Sequence, residues 1–357
     1  MAKKAVAMTE RETIIFCALN RLYGYRPGKQ KNMIENGIEP ESLMPPGRAG
    51  SELAAWAENE ISECRRKGIS VLPLPSPSYP ELLRECPDAP LFLYIKGMLP
   101  AGKRLLSVVG TRSPDDYGIE SCSRLIDSVH SVGNPPAVVS GLAYGIDKQA
   151  HMQTLERQGT TLAVLGTGID ITYPRRHEWL ARKIVESGGC LISDFPLGEP
   201  PIPVNFLRRN RIIAGLSCCT VVVQSPKKGG SMVTATQAFS YGRDLYAVPG
   251  RTDDSLNSGC NYLIASNMAG CICEPEIFSM YFWEKGDGKN TATAPEPEPG
   301  DRGKILKALY GKGRKDTETL VALTGIGPDR LNILLTELEM EGKIRTGDGF
   351  NWHIKIK

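Results

Sequence analysis

The sequence predicts an α/β fold: a Rossmann-like open parallel sheet with an N-terminal helical domain and a C-terminal winged helix. Between residues 104 and 272, short runs are apolar on both faces of the strand alternation, as expected of strands covered by helices on both sides. Segments with helical spacing separate most of these runs, and this alternation implies right-handed crossovers between parallel strands. The runs read RLLSVVG, PAVVSG, TLAVLG, GCLISDFP, CTVVVQS and DLYAVPG.

The chain has 357 residues, enough for two or three domains. Residues 1–70 predict an N-terminal helical domain, because IIFCALNRL and SELAAWAENEISECRRKG carry apolar residues at helical spacing. We expect this domain to be SAM-like or helix-hairpin-helix-like. Residues 71–283 are expected to form the extended Rossmann-like domain. Residues 284–303 contain almost nothing that could be buried, which predicts a flexible linker.

Residues 304–357 predict a winged-helix domain, since three helical segments precede two short strands. The third helix, over residues 328–342, would be the recognition helix if the domain bound DNA. Its only basic residue is Arg330, and its acids would be repelled by a DNA backbone. We therefore expect this domain to contact protein or to have a regulatory role. The acids are Asp329, Glu337, Glu339 and Glu341.

The composition narrows the class of protein. A formal net charge of +3 is too small to indicate nucleic-acid binding, so any electrostatic argument must rest on local clusters. The ten cysteines form no CxxC pair and stand beside none of the four histidines, so we expect no metal site. The sequence shows neither a secretory segment nor a membrane span, and we expect a cytoplasmic protein with reduced thiols and no membrane partner.

The candidate binding residues follow the predicted strands, because ligands of open α/β sheets bind outside the carboxyl ends of the strands. Glycines let a backbone approach a ligand, helix N termini offer N–H groups to anions, and arginine binds phosphate with a planar fork. Aromatic rings stack on unpaired bases, and basic loops on several strands fit the phosphates of a polymer. The candidates are Gly110, Thr111, Arg112, Ser140, Gly141, Arg175, Arg176, Asn205, Phe206, Arg208, Arg209, Asn210, Arg211, Lys227, Lys228, Gly229, Gly230 and Ser231.

The sequence leaves a structural interpretation open for these candidates. Arg112 could form an ion pair or a cap, and Arg175 and Arg176 could lie at a solvated helix entrance. Phe206 could be a core residue, and Lys227 and Lys228 could belong to a basic turn. Asp147 and Asp170 lie among glycines, and we expect them to cap backbone N–H groups rather than to act as catalytic acids.

The densest cluster of charge lies in the segment NFLRRNRIIAGLS, residues 205–217. Three arginines surround Asn210, and Phe206 stands just before them. An apolar run follows at once, and its burial would hold the cluster rigidly. We therefore predict that this segment is a platform for phosphates and bases at one edge of the sheet.

The sequence predicts no nucleotide cofactor. Gly166-Thr-Gly168-Ile-Asp170 lacks the third glycine of the GxGxxG pattern, and Gly110 has no second glycine two places on. The Walker pattern GxxxxGK[ST] does not occur in the chain.

Taken in order, the motifs over about residues 105–272 resemble those of the DNA-processing protein A family, DprA, also called Smf. The motifs are VVGTRSPDDYG, VVSGLAYGIDKQAH, LGTGIDITYPRRH, SDFPLGEPP, NFLRRNRIIAGLS, GGSMVTATQA, GRDLYAVPG and GCNYLIAS. The resemblance implies a recombination mediator that binds single-stranded DNA in a basic pocket, and not an enzyme. It also implies a homodimer that loads RecA recombinase onto incoming DNA during natural transformation, past single-strand-binding protein.

By motif, the resemblance implies that Arg112 is the arginine of GxR and that Arg175 is the basic residue after Tyr-Pro. It further implies that Phe206 is the aromatic residue before the motif Arg209-Asn210-Arg211. The chain departs from the family pattern at four places. Gln224 stands where the family often has a glutamate, and Gly229-Gly230-Ser231 stands where it usually has SGS. Some members have a lysine where this chain has Pro203-Val204-Asn205, and His177 replaces the usual asparagine.

Two other classes of function stay open at this point. Lysine-decarboxylase-like phosphoribohydrolases, which cleave nucleoside monophosphates, have similar Rossmann-like folds and a PGGxGTxxE pattern. The corresponding segment here, KKGGSMVTATQ, has no glutamate at the matching place, and a hydrolase also needs a positioned acid or base. The third class is a pure adaptor that binds protein through its winged helix.

Overall fold

The computed structural model describes residues 9–284, 300–309, 315–346 and 351–354. Of the linker predicted over residues 284–303, residues 285–299 lie outside these ranges. Among the described residues, no helix is both long and apolar enough to cross a membrane.

The N-terminal region is helical and packs directly against the sheet. Its elements are α1 (Glu10–Tyr23), α2 (Gly28–Glu35), a 3-10 turn (Pro40–Leu43) and α3 (Gly47–Arg66). Helix α1 begins with a capping box, in which the Thr9 hydroxyl accepts from the Glu12 N–H and the Glu12 carboxylate accepts from the Thr9 N–H. The buried face of α1, which includes Phe16 and Leu19, belongs to the same hydrophobic cluster as Phe92 of the sheet.

Nine strands within the described ranges form one sheet. They are β1 (Ser70–Pro73), β2 (Phe92–Gly97), β3 (Leu105–Val109), β4 (Ala137–Ser140), β5 (Thr161–Val164), β6 (Cys190–Ser193), β7 (Cys219–Val222), β8 (Asp244–Ala247) and β9 (Gly270–Cys271). The order is β1-β2-β6-β5-β4-β3-β7-β8-β9, and β2 runs in the direction opposite to the other eight of these strands. The open, mostly parallel sheet is confirmed, and the six predicted strands are β3 to β8.

Helices connect the strands and cover both faces of the sheet. They are α4 (Glu81–Glu85), α5 (Asp116–His130), α6 (Ile146–Glu156), a 3-10 turn (Arg175–His177), α7 (Glu178–Glu186), α8 (Pro203–Leu216), α9 (Gly230–Ser240), α10 (Ser258–Ala265), α11 (Pro275–Ser279) and a π-helical turn (Met280–Glu284). From β3 the chain winds outward through β4 and β5 to β6, then returns to place β7 on the other side of β3. This reversal is the position at which open α/β sheets form ligand crevices, at the carboxyl ends of the strands.

Helix α8 differs most from the sequence-based expectation, because the arginine cluster lies within it rather than in a basic loop at the sheet edge. Pro203 is its first residue, where proline costs no hydrogen bond. The helix connects β6 to β7, so it must cross the sheet, and it packs against β3, β4, β5, α4 and α9. From Arg209 to Leu216 every residue is buried.

The C-terminal domain is a winged helix with its own hydrophobic cluster. Its described elements are α12 (Asp301–Leu309), β10 (Lys315–Asp316), α13 (Thr317–Thr324), α14 (Pro328–Met340), β11 (Ile344–Thr346) and β12 (Asn351–Ile354). Part of the acidic charge at the C-terminal end of the predicted recognition helix is neutralised within the domain, since Arg302 pairs with Glu337 at 3.4 Å and with Glu341 at 2.5 Å. Arg330, the one base counted on that helix, pairs with Asp301 at 2.9 Å.

Candidate nucleic-acid interface

A buried carboxylate, Asp194, holds two of the three arginines of α8. Asp194 directly follows β6 and is fully buried. Its Oδ2 atom accepts from Nη2 of Arg208 at 2.8 Å and from Nη2 of Arg211 at 2.6 Å. The other terminal nitrogen of Arg211 donates to the Asp88 carbonyl. The two arginines are spaced i and i+3, so one acid can reach both from the same side of the helix.

Arg208 also connects α8 to the N-terminal helices. Its guanidinium carbon lies 4.5 Å from the ring centroid of Tyr25 and 4.4 Å from that of Phe195. Asn20 of α1 donates to the Asp194 carbonyl at 2.8 Å. The N-terminal layer therefore closes over this side of α8.

The third arginine, Arg209, points into the sheet. Its Nη1 atom donates to the carbonyls of Gly141, at 2.7 Å, and Val164, at the carboxyl ends of β4 and β5. Burial lowers the pKa of Arg209 to about 10, whereas the Asp147 carboxylate opposes this shift. The side chain therefore stays charged at neutral pH and contributes positive potential beneath the loop at Gly141.

These contacts give several candidates partners within the protein. The guanidinium groups of Arg208, Arg209 and Arg211 bond buried protein acceptors and so hold α8 in place. They could reach a phosphate only by leaving these acceptors, and their contact with DNA stays a prediction. The same applies to other candidates whose side chains are buried and bonded to protein. The Asn205 amide donates to the Glu199 carboxylate, and the Asn210 amide donates to the Gly230 carbonyl. The Ser140 hydroxyl donates to the Val108 carbonyl, and the Ser231 hydroxyl donates to that of Ser225.

The exposed side chains of Arg112 and Tyr173 lie beside the half-buried ring of Phe206, near the start of α8. The Arg112 guanidinium carbon lies 5.8 Å from the Phe206 ring centroid, within cation–π distance. The ring of Tyr173, 47% exposed, lies 5.3 Å from the Phe206 ring. A Cβ on Gly166 would lie 2.7 Å from the Phe206 ring, so the glycine in the loop after β5 lets the ring approach.

The loop after β3 is fixed by backbone contacts, and Arg112 is exposed at its tip. The Thr111 N–H donates to the Gln224 carbonyl at 2.7 Å, and the Thr111 carbonyl accepts from the Ile146 N–H at 3.1 Å. Gly110 is also required here, since a Cβ would lie 2.5 Å from the Ile146 side chain.

The loop after β4 is shaped by Asp147, which caps the backbone as the sequence predicts. Its carboxylate accepts from the N–H groups of Gly141 at 3.1 Å and Ala143 at 3.4 Å. Burial raises the pKa of Asp147 above its ordinary value, and the Arg209 guanidinium opposes that shift. Asp170, the other acid considered, accepts from the Gly198 N–H at 2.9 Å and pairs with Lys67 at 2.9 Å.

Arg175 and Arg176 are exposed on the 3-10 turn that follows Tyr173. His177 in the same turn is buried and bonds the Leu142 carbonyl through Nδ1 at 2.8 Å. Its ring lies 4.8 Å from that of Tyr144. The loops after β4 and β5 are thus joined, and the two arginines follow the exposed Tyr173 by two and three residues.

The basic turn after β7 is exposed but is directed elsewhere. The Lys227 ammonium lies 4.2 Å from the ring centroid of Tyr262 on α10. Lys228 and Gly230 are exposed, and Gly229 precedes the first turn of α9. The structure gives no contact between this turn and Phe206 among the described residues, so a phosphate contact here stays a prediction.

Three residues of this region are missing from the sequence-based candidates. Tyr144 and Tyr173 are exposed aromatic residues in the loops after β4 and β5, and Asp194 is the acid that holds α8. A tyrosine among glycines or prolines after a strand is the signal that could have indicated the first two. For Asp194 the signal is a single acid directly after an apolar strand in GCLISDFP.

Comparison with known proteins assigns the chain to a family. A family model described as DNA recombination-mediator protein A matches residues 70–282. The chain belongs to the DNA recombination-mediator protein A family. A second model, described as the DprA winged helix domain, matches residues 289–349. The resemblance seen in the motifs is confirmed.

Curated members of the DNA recombination-mediator protein A family match the chain over part of their length. Protein Smf of Escherichia coli K12 is 41% identical over 220 residues, which are 61% of this chain and 58% of that protein. DNA processing protein DprA of Streptococcus pneumoniae is 39% identical over 187 residues, 52% of this chain and 65% of that protein. The chain thus spans less than two thirds of the length of these two relatives.

Two solved DprA structures share the fold. That of Streptococcus pneumoniae DprA has a TM-score of 0.61 at 28% identity and covers 76% of this chain and 98% of that chain. That of Helicobacter pylori DprA has a TM-score of 0.53 at 26% identity and covers 60% of this chain and 94% of that chain. The Helicobacter pylori structure is described as giving insight into a unique single-stranded DNA binding mode of that protein.

Replacing Asp194 by alanine is expected to lower the free energy of unfolding by about 3–5 kcal/mol, because two buried guanidinium groups lose their common acceptor. Urea unfolding measures this loss. The matched control is Arg48→Ala, which removes a surface pair with Glu52 and is expected to change little. A loss for Asp194→Ala as small as that of the control would contradict the structural role of the acid.

Proposed function

We propose that this chain is a recombination mediator that binds single-stranded DNA at the carboxyl edge of its sheet. The observation that carries the proposal is the group formed by half-buried Phe206 and the exposed side chains of Arg112 and Tyr173. The Arg112 cation lies 5.8 Å and the Tyr173 ring 5.3 Å from the Phe206 ring. Family membership and the single-stranded DNA binding described for the Helicobacter pylori relative support it.

The chemistry of this group suits an unpaired strand. The flat faces of Phe206 and Tyr173 offer stacking surfaces to bases, which are available only when the bases are unpaired. Arg112, beside the Phe206 ring, and Arg175 and Arg176, which closely follow Tyr173 in the chain, are exposed cations and would bind the phosphates that connect those bases. The strand would thus lie across the loops that follow β3 and β5.

We further propose that the protein delivers the bound strand to RecA recombinase, past single-strand-binding protein, as a homodimer that protects incoming DNA in natural transformation. This part rests on the family to which the chain belongs.

We also propose that the protein is not an enzyme, since Asp147 and Asp170 have structural partners. Release of free base from nucleoside monophosphates would contradict this and favour the phosphoribohydrolase class.

The variants Arg112→Gln and Phe206→Leu are expected to weaken single-strand binding in different ways. Arg112→Gln removes a charge-assisted hydrogen bond of ~1.5–3 kcal/mol. It also reduces the magnitude of the negative slope of log affinity against log salt concentration by about 0.7. Phe206→Leu removes base stacking of ~1–3 kcal/mol and leaves the salt slope unchanged. Fluorescence anisotropy with a labelled oligothymidylate at several salt concentrations measures both quantities.

The matched control for this experiment is Arg48→Gln, which removes a positive charge from the exposed face of α3. Its affinity and salt slope should equal those of the unaltered protein. If Arg112→Gln and Phe206→Leu both behave like this control, the proposed interface does not bind DNA.

Recombinase loading has its own expected outcome. With strand coated by single-strand-binding protein, the unaltered chain should shorten the lag before RecA filaments form, and Arg112→Gln should lose most of this acceleration. A chain lacking residues 301–357 should still bind single strands, because the proposed contacts lie between residues 112 and 206. Unchanged filament kinetics with the unaltered chain would leave single-strand binding in place but contradict the loading role.

A further inference from the structure

A basic cleft adjoins the Arg112 side of the proposed interface. It is an open cleft of about 520 Å³ between the start of α5 and the start of α6. Arg112 and Lys148 provide its two positive charges, and its other lining residues are neutral. Tyr144, Pro114, Ile119 and Gln149 are among these neutral residues.

Gly145 brings the two walls of the cleft together. A Cβ at this position would lie 2.3 Å from the Thr111 carbonyl oxygen and 2.7 Å from the Arg112 carbonyl carbon. Its backbone also has a φ of 73°, in the left-handed region that favours glycine. Only glycine therefore allows the loop after β4 to approach the loop after β3 so closely, and this approach sets Tyr144 and Lys148 beside Arg112.

The cleft and the aromatic pair are continuous through Arg112. The guanidinium of Arg112 faces the Phe206 ring, while the same residue lines the cleft. Tyr144, which is 44% exposed, lies between Arg112 in the cleft and His177 in the turn that carries Arg175 and Arg176. A polymer seated on Phe206 could thus continue over Arg112 into the cleft without leaving the protein surface.

We propose that this cleft is a second subsite for the sugar-phosphate backbone of the same single strand, with Lys148 as its phosphate ligand and Tyr144 as its stacking surface. The proposal rests on the proposed function, because it extends the strand that binds at Phe206. Lys148 is half-buried on the first turn of α6, where the positive end of the helix adds to its charge. Pro114 and Ile119 provide an apolar surface on which a sugar or base can pack.

The ligand class follows from the distribution of charge. A mononucleotide would be satisfied at Arg112 and Phe206 alone, whereas a polymer presents further phosphates to the cations beyond. Two subsites that share one arginine therefore predict that affinity increases with strand length until the cleft is filled. The contribution of Lys148 should appear only in strands long enough to reach it.

The test measures affinity and salt slope for Lys148→Gln with a series of labelled oligothymidylates of increasing length. For long strands, the variant should lose affinity several-fold, and its salt slope should fall by about 0.7, as for one phosphate contact. For the shortest strands that still bind, it should match the unaltered chain. The matched control is Lys183→Gln, at an exposed residue in the last turn of α7. Because α7 runs back from the carboxyl edge, Lys183 lies toward the other end of the sheet.

The outcomes separate this inference from the proposed function. If Lys148→Gln matches the unaltered chain at every length while Arg112→Gln still weakens binding, the second subsite is wrong and the proposed function stands. An equal loss of affinity for strands of every length would also overturn the second subsite. Lys148 would then act within the first subsite or through the electrostatic potential of the whole protein. If Arg112→Gln and Phe206→Leu have no effect either, the proposed function itself fails.

Discussion

The buried pairing of Asp194 with Arg208 and Arg211 is the constraint on which the proposed interface depends. Helix α8 must cross the sheet from β6 to β7, and its arginine-rich middle would be costly to bury without an acid. Once paired, the helix is held between the sheet and the N-terminal layer. Phe206, near its start, is then presented at the sheet edge beside Arg112. The positive charge that looks like a ligand site in the sequence is mostly used to position an aromatic ring.

Much of the fold follows from local patterns in the sequence. Runs that are apolar on both sides predict β3 to β8, because a central parallel strand is covered on both faces. Arg112 and the aromatic residue Phe206 are also indicated correctly as exposed or half-exposed groups at the carboxyl edge, since strand ends with glycines can be recognised from sequence. The strands β1, β2 and β9 are not predicted, as their short or proline-bounded segments carry little periodic signal.

The arginines of α8 could not be placed from sequence because charge alone does not say which side of a helix meets solvent. Helical periodicity would show that Arg208 and Arg211 share a face, but the acid opposite them comes from β6, which is distant in the chain. Arg209 donates hydrogen bonds to the carbonyls of Gly141 and Val164. Such backbone acceptors cannot be recognised from a sequence, because every residue has a carbonyl. Tyr144 and Tyr173 come close to the other residues of the proposed interface only when the loops after β4 and β5 are joined by tertiary contacts such as His177 with Leu142.

The most direct measurement is photo-crosslinking of a single-stranded oligonucleotide that carries 5-iodouracil, followed by mass spectrometry to locate the modified residue. Because the base is expected to stack on the aromatic pair, the covalent adduct should form on Phe206 or Tyr173, with a further adduct on Tyr144 for longer strands. Adducts confined to residues 227–230 or to the winged-helix domain would contradict the account, since the strand would then be bound away from the ring that α8 positions.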